Sequence, residues 1–141
     1  MSKVFIALFV NDIEGLKKRF RPLHKNLYYH HSTILYNPLS FTTSDKPIGE
    51  EFDLQIIGRF SNDKVDALLV DNKFSSNKFP HITLSTAEGV EAVESNYEIE
   101  NNQDKIRYFK GLIKKTKPSI KTTYGYYTPV GVIKKKYGHE I

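Results

Sequence analysis

Apolar positions along the chain fall into short runs of strand length, separated by polar or proline-containing stretches. Residues 3–10, Lys-Val-Phe-Ile-Ala-Leu-Phe-Val, are almost continuously apolar and predict a strand buried on both faces. Asp12 then offers a cap for a short helix reaching about Phe20, with Ile13, Leu16 and Phe20 on one face and Pro22 beyond its end. Residues 27–36 are dense in aromatic and β-branched types and predict a second strand, whereas 37–50, with Pro38, Pro47 and Gly49, reads as a loop. Further strands are predicted at 51–60 and 64–71, joined by Ser61-Asn62-Asp63, and at 79–85, where Pro80 suits a strand's first residue. The polar, acidic run 95–104 predicts a loop. Beyond it, 106–113, 119–127 and 130–135 read as strands, with 105–115 open to a helical reading as well. Many strands and few helices make an α+β protein.

A length of 141 residues, 39% hydrophobic and containing nine Tyr and nine Phe, fills one core, so a single domain over 1–141 is expected. The absence of cysteine removes disulfides, thiolate nucleophiles and Cys-containing zinc sites; it fits a reducing compartment, and a cytoplasmic location is expected. The apolar run before Asn11 is too short to span a bilayer and no A-x-A cleavage pattern follows it, so no membrane association is expected. Net charge is +5, with an excess of lysine from Lys110 to Lys136. Such a field favours polyanions, although a solvated lysine-rich surface is the plainer reading.

Candidate chemistry lies in a small pattern that occurs twice: His31-Ser32-Thr33-Ile34 and His81-Ile82-Thr83-Leu84. Each sits in a predicted strand, where residues two apart share a face, so each pair sets an imidazole beside a hydroxyl. Two such pairs on neighbouring strands would flank a phosphate, with two imidazoles for proton transfer and two hydroxyls on the non-bridging oxygens. Five His and nine Thr give about 0.3 chance occurrences of His-x-Thr, so the weight comes from two copies in like contexts. Alternation selects His31 over His30, which is expected on the opposite face; His24 and His139 are expected in solvent. A metal cluster of His24, His30 and His31 lacks a carboxylate at ligand-like spacing, so neither metal nor cofactor is expected.

The paired motifs resemble those of the 2H phosphoesterase superfamily. The region from Asn77 to Asn96, with the apolar run before it, is similar to the cyclic phosphodiesterase domain of fungal-type tRNA ligases. The likeness covers residues 28–36 and 63–96 and departs at Ser85, where the family often has Gly, and at His30, a second histidine beside the first. It implies two antiparallel sheet lobes around a central cleft with helices outside, and metal-independent opening of 2′,3′-cyclic phosphates on RNA or nucleotides, with a 2′-phosphate product.

For substrate contacts, Tyr36, Phe79, Ser85, Tyr124 and Tyr126 are the candidates. The aromatics would stack on a base, and Gly125 within Tyr124-Gly125-Tyr126 permits close backbone approach. No G-x-x-x-x-G-K-[ST] loop occurs, so in RNA repair the chain would act beside a separate ligase or kinase; a monomer is expected. Two other readings stay open: a phosphodiesterase for cyclic or 2′-5′-linked oligonucleotide messengers, and a catalytically silent module that grips RNA or a nucleotide.

Overall fold

The computed structural model describes residues 4–36, 46–109 and 118–134. Strand β1 (Phe5–Val10) is the buried first strand its apolar run predicts, and helix α1 (Ile13–Arg19) follows it. Asp12 caps that helix, its Oδ1 accepting from the Gly15 N–H at 2.9 Å, and only Leu16 of the helix is fully buried. The remaining strands are β2 (Asn26–Leu27), β3 (His31–Tyr36), β4 (Glu51–Ser61), β5 (Val65–Val70), β6 (His81–Thr86), β7 (Ile106–Tyr108), β8 (Ser119–Thr128) and β9 (Gly131–Ile133). A second helix, α2 (Glu94–Asn101), runs into a short 3-10 turn at Gln103–Lys105.

The strands form one antiparallel sheet in the order β7-β4-β5-β6-β3-β1-β8-β9, with β2 on β6. Eleven-residue β4 is long enough to serve three neighbours: Glu51 to Gln55 pair with β8, Gly58 to Phe60 with β7, and Ile56 to Ser61 with β5. That added β4–β8 ladder closes the sheet into a barrel, which leaves few edges to protect. Where two separate sheets were expected, the hydrogen bonding is continuous. Inside sit Ile6, Leu8, Leu54, Leu68, Ile82 and Leu84, among others. A smaller cluster outside, built on Phe60, Val65, Ala67 and Leu69, is covered by Ile99 of α2. One end of the interior is tied by Asp66, fully buried, which takes a bidentate pair from Arg59 at 2.9 and 3.0 Å and bonds from Ser85 and the Leu23 N–H.

Three expectations change. The predicted strand at 27–36 is broken after Leu27, because Tyr29 stands in the left-handed region at φ 68° with its ring in the core and its hydroxyl donating to the Phe20 carbonyl at 2.7 Å. The predicted loop at 95–104 contains α2 instead: its buried face is Ser95, Glu98 and Ile99, only one of them apolar. Of the predicted strand at 106–113, β7 takes the first three residues; 110–113 lie outside the described residues, as do 37–45 of the long loop, Lys135, Lys136 and His139.

Candidate active site

The site forms at the weakest seam of the barrel. β3 and β6 are joined by a single antiparallel pair, Ser32 opposite Ile82. Beyond it β3 turns from β6 to the loop after β5, where Ser75 Oγ donates to the Thr33 carbonyl at 2.8 Å and Ser76 N–H to the Ile34 carbonyl at 2.8 Å. Buried Asn72 donates to Ser32 Oγ at 3.0 Å, pinning that loop beneath the seam. The loop's serines thus satisfy backbone acceptors that a longer ladder would have used, and the two strands are free to splay.

His31 and Thr33 flank Ser32 on β3, and His81 and Thr83 flank Ile82 on β6, so the single pair brings the two motifs to one place. All four residues line one cavity of about 400 Å³. Its other walls come from β1 through Phe5, from the end of β3 through Tyr36, and from the segment leading into α2 through Ala92, Val93 and Asn96.

His81 is 8% exposed, and its Nδ1 lies 2.9 Å from the Phe79 carbonyl. A carbonyl only accepts, so Nδ1 carries the proton and neutral His81 presents a bare Nε2. Burial pushes its pKa below the usual 6.5, against the opposing pull of that hydrogen bond. His31 stacks on Phe5 with ring centres 4.5 Å apart and leans on Phe9 at 5.7 Å. Burial, with added repulsion from His30 and His81, lowers it to about 3. In the free protein both imidazoles are neutral at pH 7. Thr83 Oγ1 lies 2.9 Å from Ser95 Oγ in the first turn of α2, which fixes the threonine's rotamer.

Among the proposed substrate contacts, Tyr36 lines the cavity at 46% exposure, next to Phe5. Phe79 serves through its carbonyl, while its ring packs against the cluster under α2. Ser85 is buried on the core side, donating to Asp66 at 2.9 Å. A bulge causes this: Asp66 pairs with Ser85 and Ala67 with Thr83, so Leu84 is the extra residue and alternation slips past it. Tyr124 is a core residue in edge contact with Phe74 at 5.3 Å, and Tyr126 packs against that core. Gly125 does allow a close approach, but of β9: a Cβ there would meet the Ile133 carbonyl oxygen at 2.5 Å. His24 is partly buried and bonds through Nε2 to the Asn62 carbonyl at 2.8 Å. The sequence reading missed Phe5, Ser95 and His30, the last of which lines the cavity after all.

Among the described residues, no group of three or more His, Cys, Asp or Glu side chains is disposed to hold a metal ion, and no helix is long and apolar enough to cross a membrane. No family model, curated protein or solved structure matches the chain.

Proposed function

We propose that the chain is a metal-independent phosphodiesterase that opens 2′,3′-cyclic phosphates at RNA ends or on nucleotides, with His31, Thr33, His81 and Thr83 as its catalytic residues. The observation that carries the reading is the convergence of both His-x-Thr pairs on one cavity about a single strand pair. A cavity of about 400 Å³ is within the range that takes a nucleotide-sized ligand.

The fixed tautomer of His81 suits it to be the base. Its Nε2 takes a proton from water as the water oxygen bonds to phosphorus; the P–O3′ bond breaks, and His31 protonates the departing oxygen. The resemblance to the tRNA ligase domain supplies that regiochemistry, which leaves a 2′-phosphate. Thr33 and Thr83 donate to the non-bridging oxygens; Ser95 Oγ, 2.9 Å from Thr83 Oγ1, is a hydroxyl able to take the donor's part in that contact, which frees the threonine's own proton for phosphate. The anion also raises the pKa of His31 when it binds, so that the acid acquires its proton in the complex.

The test is a panel in EDTA: 2′,3′-cyclic nucleotides, RNA ending in a cyclic phosphate, cyclic dinucleotides and 2′-5′ oligoadenylate. Turnover of the first two supports the reading; turnover confined to the last two transfers the site to messenger degradation, and turnover of none leaves a binding module.

A further inference from the structure

His30 and His31 are consecutive residues, yet both line the cavity. Within a strand neighbours point to opposite faces, but β3 begins only at His31, and His30 lies before it. The break is the left-handed backbone of Tyr29, φ 68°, a conformation a bulky residue adopts only when its surroundings impose it. Here they do: the Tyr28 and Tyr29 N–H groups donate to the Leu84 and Thr83 carbonyls at 2.8 and 3.0 Å, and the His30 carbonyl accepts from Val10 at 2.8 Å. His30 is therefore held, not loose. Its ring is nearly parallel to that of His31 at 6.4 Å and edge-on to Tyr28 at 6.2 Å, and it is exposed at the mouth.

The catalytic reading leaves His30 without a task. It stands one ring further out than His31, on the side where the positive field of Lys17 reaches it, although Lys17 also pairs with Glu14 at 3.3 Å. A strand of nucleic acid held by its terminal phosphate at His31 and His81 presents its next phosphate at a comparable step outward. The geometry points to His30 as the donor to that second phosphate, so that the preferred substrate is an oligonucleotide end and not a cyclic mononucleotide. This rests on the proposed phosphodiesterase activity and adds the substrate's length to it.

The test uses two dinucleotides ending in a 2′,3′-cyclic phosphate, one joined by an ordinary phosphate and one by an uncharged methylphosphonate. For the wild type, kcat/KM is expected to favour the charged linkage by about tenfold, the worth of one hydrogen bond to an anion. In His30→Ala that preference falls to about one, and in His30→Gln, which keeps an N–H, part of it returns. The ratio is unaffected by any general change in the activity of His31, which both substrates share. A wild type without the preference, or a His30→Ala variant that keeps it, overturns the assignment while the phosphodiesterase reading stands. Failure to cleave either dinucleotide, or any cyclic mononucleotide, removes the parent reading and this one with it.

Discussion

Replacing Phe5 by Ala should move the pH dependence of catalysis, because the Phe5 ring forms much of the dry wall against which His31 is neutralised. Lowering His31 from 6.5 to about 3 corresponds to about 5 kcal/mol at most in favour of the neutral ring, since the open side of the cavity screens part of it. At pH 7 roughly one free molecule in ten thousand then carries the proton that the leaving oxygen needs. The parameter kcat/KM reports the free enzyme, in which His31 must be charged while His81 is neutral, so it should rise about tenfold for each unit of pH lost below 7 until His81 itself takes a proton, and level off there, below 6.5. Turnover number reports the complex, where the bound anion restores the pKa, and its limb should lie nearer neutrality. Phe5→Ala admits water and should carry the kcat/KM limb upward by about one unit. Initial rates on a cyclic nucleotide from pH 4.5 to 8, for wild type and variant, decide the matter. A wild-type kcat/KM that is level between pH 6 and 7.5, or a limb that Phe5→Ala leaves in place, would mean that His31 is not the buried, neutral acid described above.

Other consequences follow from single contacts. Between about pH 3 and 6.5 the unfolded chain holds a proton at His31 that the folded chain refuses, so stability present above pH 6.5 is lost as pH falls through that window; His31→Gln should flatten this decline in urea unfolding measured at pH 7.5 and 4.5. Ser95→Ala removes the 2.9 Å contact that orients Thr83 and should lower kcat roughly fivefold, about 1 kcal/mol, with little effect on KM. Asp66→Ala strands Arg59 at the barrel's end and should destabilise the fold by about 3–5 kcal/mol, part of which Arg59→Met restores in the double variant; calorimetry reads both. A substrate with sulfur at the 3′ leaving position needs no acid, so it should rescue His31→Ala and not His81→Ala in single-turnover assays.

The four His-x-Thr residues were legible because strand alternation is local: it fixes that His and Thr two apart share a face, whatever the neighbours. Strand β1 and the Asp12 cap were legible for similarly local reasons. What alternation cannot reveal is where it fails. The kink at Tyr29 has no Gly or Asn to announce it and is imposed by tertiary contacts, so His30 was assigned to the wrong face. The bulge at Leu84 likewise turned Ser85 inward. For β8, both faces carry Tyr, and only the pairing of Tyr124 with Leu8 decides which points to the core. Helix α2 was hidden because its packing face pairs Ile99 with Ser95 and with Glu98, which accepts from Asn62 at 2.9 Å, so no apolar period marks it. Barrel closure depends on the long β4 meeting β8 at a distance in sequence that no local pattern records.

The roles of His31 and His81 come down to an RNA oligonucleotide that ends in a 2′,3′-cyclic phosphate, followed in EDTA with wild type, His31→Ala and His81→Ala. Ring opening by the wild type is expected, with a loss of roughly a hundredfold or more in each variant, the usual worth of a general acid or base. Full turnover in either variant would contradict those roles.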